Sequence, residues 1–250
     1  MSRTKNKFTK ERKMYKQAEK EKGLENQFGV YSSLAANTKL SNGYDLFDWV
    51  MRKNTVPSFW GRSIDGDNPI TTEEVEYLRS KKCRIAFVLN DLTEIEVCKM
   101  DGIASALKAA ETVKALGVPQ KENVAIFAKI KSDWSVNHNW MFTFAATIAA
   151  EGFVPGFIGN TDSSKNYCFD REAGHYLQTV KNTDGEVFQT LFGATEPKSN
   201  AIPEMWLPFA PSDLSTEEIA LWEYGKTHFG NDQVAENMLA KSEVITKNLY

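Results

Sequence analysis

Hydrophobic positions are thinly spread through the first forty residues and then gather into short runs. From Gly43 onward, apolar runs of four to eight residues alternate with amphipathic stretches, the rhythm of strands separated by helices or loops. Gly43 to Phe47 reads as a first strand with its outgoing loop, and Ser58 to Arg62 as a second. Thr71 begins a helix, with Glu73 and Glu74 in its first turn and Val75 and Leu78 on the buried face. Arg84 to Asp91 is a third strand whose unbroken apolar run suits a parallel strand covered on both faces. Asp101 to Leu116 is the clearest helix: Ile103, Ala106, Leu107, Ala110 and Val113 recur at helical steps, and Gly117 and Pro119 end it. Asn123 to Ile130 is a fourth strand, Asn139 to Ala150 a helix, Phe153 to Gly159 a fifth strand and Arg171 to Lys181 a short helix. Glu186 to Phe192, Glu204 to Phe209 and Ile219 to Tyr224 supply strands six to eight, and residues 233–247 an amphipathic final helix. Eight strands in this order predict an α/β fold, a (β/α)₈ TIM-like barrel with a basic N-terminal extension.

Composition adjusts this picture at the N-terminus. Overall the 250 residues are 42% hydrophobic and 25% charged, with a net charge of −3, ordinary for a folded chain. Residues 1–25 hold nine Lys or Arg and four Glu, so that stretch is near +5 and the remainder near −8. We read residues 1–42 as a basic polar arm and linker, and residues 43–250 as the barrel. The arm is either a solvated extension or a tether to a protein or an anionic surface. Cys83, Cys98 and Cys168 show neither metal spacing nor an even count, and are expected to be free thiols, which favours a reducing compartment. No secretory h-region follows the basic start. The expectation is a cytoplasmic protein or one exported by a non-classical route, with no membrane span.

The chemistry-bearing residues fall at strand ends, and in a parallel barrel these ends open on one face. Asp45, Asp91, Asp133 and Asp232 are candidate catalytic carboxylates, because glycoside hydrolysis needs one carboxyl held protonated and one ionised. Each could instead cap a loop or helix. Tyr44, Trp60, Trp206, Trp222 and Tyr224 offer flat faces for sugar rings, with Arg62 as a polar contact, although aromatics also fill barrel cores. His138, His175 and His228 lack HxH or HExxH spacing, so no metal is expected. No phosphate loop or GxSxG elbow is present, so neither a cofactor nor a nucleic acid is expected.

Several pieces, in order, resemble the bacterial glycoside-hydrolase-like barrel known as domain of unknown function 1906, which is itself similar to the muramidases of glycoside hydrolase family 25. Gly43-Tyr44-Asp45 looks like its opening Gly-Phe-Asp, and Phe59-Trp60-Gly61-Arg62 like its second strand. Asp101-Gly102 through Leu116-Gly117-Val118-Pro119 looks like its central helix and exit, and Gly152 to Phe157 like its fifth strand. Met205-Trp206-Leu207, Leu221-Trp222-Glu223-Tyr224 and Asn231 to Ala235 complete the series. The resemblance implies a barrel that acts on or binds a cell-wall glycan such as peptidoglycan, with Asp45 and Asp232 as site carboxylates. It also exposes a departure. Where the family places an acid in the fourth strand, this chain has Phe127-Ala128-Lys129-Ile130, and an isoleucine moves no proton. Asp91, Asp133, Glu94 or Glu96 would have to substitute. Three readings stay open: a hydrolase, an inactive barrel serving as a glycan- or protein-binding module, and an effector or virion component delivered without a signal peptide.

Overall fold

A computed structural model describes residues 26–120, 123–162, 168–182, 188–195 and 205–250. Eight strands close into a barrel in chain order: β1 (Asn26–Ser32), β2 (Phe59–Ser63), β3 (Arg84–Leu89), β4 (Ala125–Lys129), β5 (Val154–Gly159), β6 (Leu191–Ala194), β7 (Ile219–Phe229) and β8 (Asp232–Lys241). Neighbours from β1 to β7 are parallel. The last strand runs antiparallel to both β7 and β1 and closes the ring. Around it lie α1 (Leu46–Lys53), α2 (Thr72–Ser80), the single turn α3 (Glu94–Val97), α4 (Ile103–Ala115), α5 (His138–Ala150), α6 (Cys168–Lys181) and α7 (Ser242–Asn248).

Three sequence expectations are corrected here. The first strand lies at Asn26–Ser32, inside the stretch read as linker, so the barrel does not begin at Gly43. Gly43 to Asp45 instead forms a turn, with Gly43 at φ +87°, that leads into α1. Leu46, Phe47 and Val50 recur at helical spacing and bury one face of that helix. Residues 205–209 contribute no barrel strand, so the eighth expected strand is the seventh in space. Of residues 233–247, read as one helix, 233–241 belong to β8 and only 242–247 are helical, because both edges of that strand find partners and closure satisfies its backbone on both sides. The remaining strand and helix assignments agree with the structure to within a few residues, apart from positions 186–187, which lie outside the described residues. The basic stretch 1–25 also lies outside them.

Two apolar layers result. Strand residues facing out, such as Val30, Trp60, Ile85 and Ile126, pack against the helices through Leu46, Val75, Ala106 and Phe144. Residues facing in, among them Phe59, Ala86, Phe127, Val154, Leu221 and Met238, fill the barrel. The fit there depends on glycine: a Cβ on Gly29 would come within 2.4 Å of the Phe59 ring, and one on Gly156 within 2.3 Å of the Phe127 ring. Each ring occupies the space that the neighbouring strand leaves open. Val244, Ile245 and Leu249, on α7 and the residue after it, join this inner layer. Tyr250 and Ile85 exchange backbone hydrogen bonds at 2.8 and 3.1 Å, which fixes that segment beside the start of β3.

Candidate functional site

The inward-facing series on β4, β7 and β8 changes from apolar to charged as it reaches the mouth formed by the C-terminal ends of the parallel strands. On β4, Ala125 and Phe127 are followed by Lys129, and on β7, Leu221 by Glu223. On antiparallel β8, Met238 precedes Glu236 on the way to the same mouth. Tyr31 ends the inward face of β1 and lies in register with Glu236. Alternation along a strand keeps every second side chain on one face, so all four groups meet inside the mouth. Between Glu223 and Gly225 the β7–β8 register shifts, a bulge of the kind that re-aims side chains at barrel rims.

The centre of this cluster is an ammonium between two carboxyls. Lys129 Nζ donates to Glu236 Oε2 at 2.6 Å and to Glu223 Oε2 at 3.5 Å, and stands 4.2 Å from the centroid of the Tyr31 ring. Burial pushes the Glu223 carboxyl up to about 8, with Glu236 adding to the rise and Lys129 opposing it. Burial works against the charge of Lys129, but Glu223 and Glu236 outweigh it and its pKa is raised. At neutral pH, Glu223 therefore keeps a proton while Lys129 is charged. Burial also raises the Tyr31 phenol, whose hydroxyl is buried with no hydrogen-bond partner. A cavity of about 220 Å³ opens here, lined by Tyr31, Ser32, Asn90, Lys129, Gln233 and Glu236 among others. Pockets that enclose drug-sized ligands run to roughly 300–1,000 Å³, so this one takes a single small polar group rather than engulfing a chain. Next to it, Asp65 accepts from Ser63 Oγ and from the backbone N–H groups of Asn90 and Asp91, which fixes the loops after β2 and β3.

None of the four candidate aspartates joins that cluster. Asp45 sits before α1, paired with Lys39 and accepting from the Tyr77 hydroxyl at 2.9 Å. The Lys39 contact, chiefly, holds its carboxyl below the usual range, which favours the ionised form. Asp91 and Asp133 are exposed in the loops after β3 and β4. Asp232 is exposed at the start of β8, about 13 Å along the strand from Glu236 at the usual rise per residue.

The aromatic and arginine candidates are mostly structural. Trp60 and Trp222 face outward from the barrel, wholly buried, and Trp60 stacks on Phe47 at 5.6 Å. Trp206 is also buried, donates to the Thr216 carbonyl at 2.8 Å and meets Trp222 edge to face. Arg62 has no exposed surface: it forks onto both Glu74 oxygens at 2.9 and 3.0 Å and donates to the Ser32 and Asn68 carbonyls. These four cannot reach a glycan. Tyr44 is exposed beneath the Arg52 guanidinium, and Tyr224 is half-buried against Trp222. Glu223, Glu236 and Tyr31 went unmarked by sequence reasoning, and Lys129 was noted only as a departure. The one available signal was a charged residue ending an otherwise apolar strand. The three cysteines are free, as expected, and Cys83 is buried.

The closed eight-stranded barrel is shared with solved structures that include a family GH25 lysozyme, so the chain has that fold. An uncharacterized protein of B. stearothermophilus matches it with a TM-score of 0.64 at 21% identity, over 90% of this chain and all of the other. A Tat-secreted protein of Mycobacterium tuberculosis, crystallised with HEPES, matches at TM-score 0.55 and 10% identity, over 86% and 95%. A family GH25 lysozyme of Aspergillus fumigatus matches at TM-score 0.52 and 10% identity, over 90% and 100%. No family model and no curated protein matches the chain, so the narrower resemblance to the domain of unknown function rests on the sequence pieces alone. Among the described residues no helix is long and apolar enough to cross a membrane.

Proposed function

We propose that this protein is a peptidoglycan-related barrel that binds a cell-wall glycan at its mouth without cleaving it. One observation carries the reading: a single ammonium, Lys129 Nζ, engages both mouth carboxyls. Glycoside hydrolysis needs an acid free to turn its proton toward the leaving oxygen. It also needs a second carboxylate with free lone pairs, set about 5–9.5 Å away. Here Lys129 occupies the lone pairs of Glu236 and draws Glu223 toward the same point. Asn90 and Gln233, which line the cavity, remain to hydrogen-bond sugar hydroxyls. The cavity's size favours capture of one ring substituent from a polymer lying across the mouth.

A second reading, hydrolysis with Glu223 as the acid, draws on the proton that this carboxyl holds up to about pH 8. Incubation with purified peptidoglycan separates the two. We expect the full chain to co-sediment with the polymer and to release neither reducing ends nor soluble muropeptides. We expect Glu236→Gln to weaken co-sedimentation. Release that disappears in Glu223→Gln would establish the hydrolase instead. A chain that neither sediments nor releases anything would remove the glycan reading.

A further inference from the structure

Away from the mouth, the structure brings together two of the three histidines that look scattered in sequence. His138 opens α5, and Glu172 and His175 lie one turn apart on α6. Glu172 Oε2 stands 2.9 Å from His138 Nδ1 and 3.6 Å from His175 Nδ1. The imidazoles meet edge to face at 5.4 Å, and one donor atom from each of the three residues lies within 4.8 Å of the others. We propose that this trio is a binding site for a divalent transition-metal ion of the zinc class.

The geometry fits such an ion. Zinc takes imidazole nitrogen and carboxylate oxygen at about 2.0–2.2 Å in tetrahedral sites, which sets ligand atoms roughly 3.4 Å apart. The two separations from Glu172 bracket that spacing, and the two imidazoles, whose donor atoms lie within 4.8 Å of each other, close on the ion by rotamer adjustment. The surroundings orient the donors as metal ligands require. Arg171 Nε holds the other Glu172 oxygen at 3.0 Å, and Oε2, which also accepts from the His138 backbone N–H at 3.4 Å, faces the rings. Asn139 Nδ2 lies 3.3 Å from His138 Nε2 and can only donate to it, so the ring proton sits on Nδ1, toward Glu172. The ion would take the place of that proton. Three protein ligands leave a fourth position, which opens into a cavity of about 300 Å³ lined by Cys98, Ser135, Asn137, His138, Asn139 and Glu172. Cys98 Sγ donates to the Ser135 carbonyl at 3.0 Å and falls outside the group of donor atoms that lie within 4.8 Å of one another. It is a spectator in this proposal, and the fourth position is left to water. An ion here would clamp α5 to α6.

The test uses the full chain without a histidine tag, stripped with chelator and desalted. Zinc is titrated by calorimetry and cobalt(II) by visible absorbance. We expect one ion per chain and a tetrahedral cobalt spectrum without a thiolate charge-transfer band. His138→Ala, His175→Ala and Glu172→Gln should each weaken zinc by about tenfold or more, and Cys98→Ser should leave it unchanged. His175 is half exposed, so its replacement spares the fold, and metal-free melting curves check this. Absence of saturable binding, or binding that survives the His138→Ala/His175→Ala double replacement, overturns the site. A loss in Cys98→Ser equal to that in His175→Ala overturns the open fourth position.

Discussion

At the scale of single residues, the mouth ties protonation to stability. The Glu223 carboxyl is at about 8 in the fold against 4.5 for the free side chain, chiefly because it is buried. Between those values the folded state holds a proton that the unfolded state has released, so stability falls as pH rises. It is fully present below about 4.5 and lost as pH climbs through 8. We expect the melting temperature to drop by roughly 5–10 °C between pH 5 and pH 8. Glu223→Gln, which carries no ionisable proton, should flatten that slope. Thermal melts of the two proteins across this range check it, and parallel slopes would place the titration elsewhere. Arg62 is the contrasting residue. Its fork onto Glu74 is sealed, and its remaining donors fix the end of β1 and the loop after β2. A charge with every partner inside the protein is a structural bolt, however much its position in a strand-end motif suggests a ligand contact.

At the scale of elements, the legible parts were those whose environment is uniform. Strands β3 to β5 are covered on both faces, so their sequences are largely apolar runs, and α4 and α5 carry helical spacing over thirteen residues each. The elements that failed lack that uniformity. In β1, polar Asn26, Gln27 and Ser32 flank Gly29, which is there to admit the Phe59 ring of the next strand. In β8, Val234 and Met238 four residues apart fit a helix as well as a strand, and only pairing to β1 and β7 decides between them. The C-terminal segment belongs to the same argument, because α7 and Leu249 seal the inner layer. Leu249→Ala should open a cavity there and cost about 2–5 kcal/mol in urea unfolding. A cost below about 1 kcal/mol would mean that the segment is not part of the barrel core.

At the scale of the whole molecule, charge is divided along the chain. Residues 1–25 carry about +5 and the rest about −8. If the basic stretch tethers the barrel to an anionic polymer, its contribution is Coulombic and screened within about 8 Å at physiological salt. We expect deletion of residues 1–25 to reduce co-sedimentation with peptidoglycan at low salt and to make no difference at about 0.5 M salt, where screening removes the tether in both proteins. Equal sedimentation of the two proteins at low salt would show that the mouth alone holds the polymer.

The sequence by itself determined the fold class, because the alternation of apolar runs and amphipathic stretches is a local property of the chain and survives a misplaced strand at either end. It also determined that the fourth strand ends in Lys129 and Ile130 without an acid, since that is a matter of which residues follow Phe127 and Ala128. The identity of the site was decided by tertiary structure alone. Lys129 meets Glu223 and Glu236 across 94 and 107 residues, and their shared face exists only once the last strand turns back and closes the ring. The same closure placed Trp60, Trp222 and Arg62 behind the wall and left the four aspartates outside the cluster. Which face a strand residue occupies follows from register, and register is set by the partners on either side, which no local window of sequence contains.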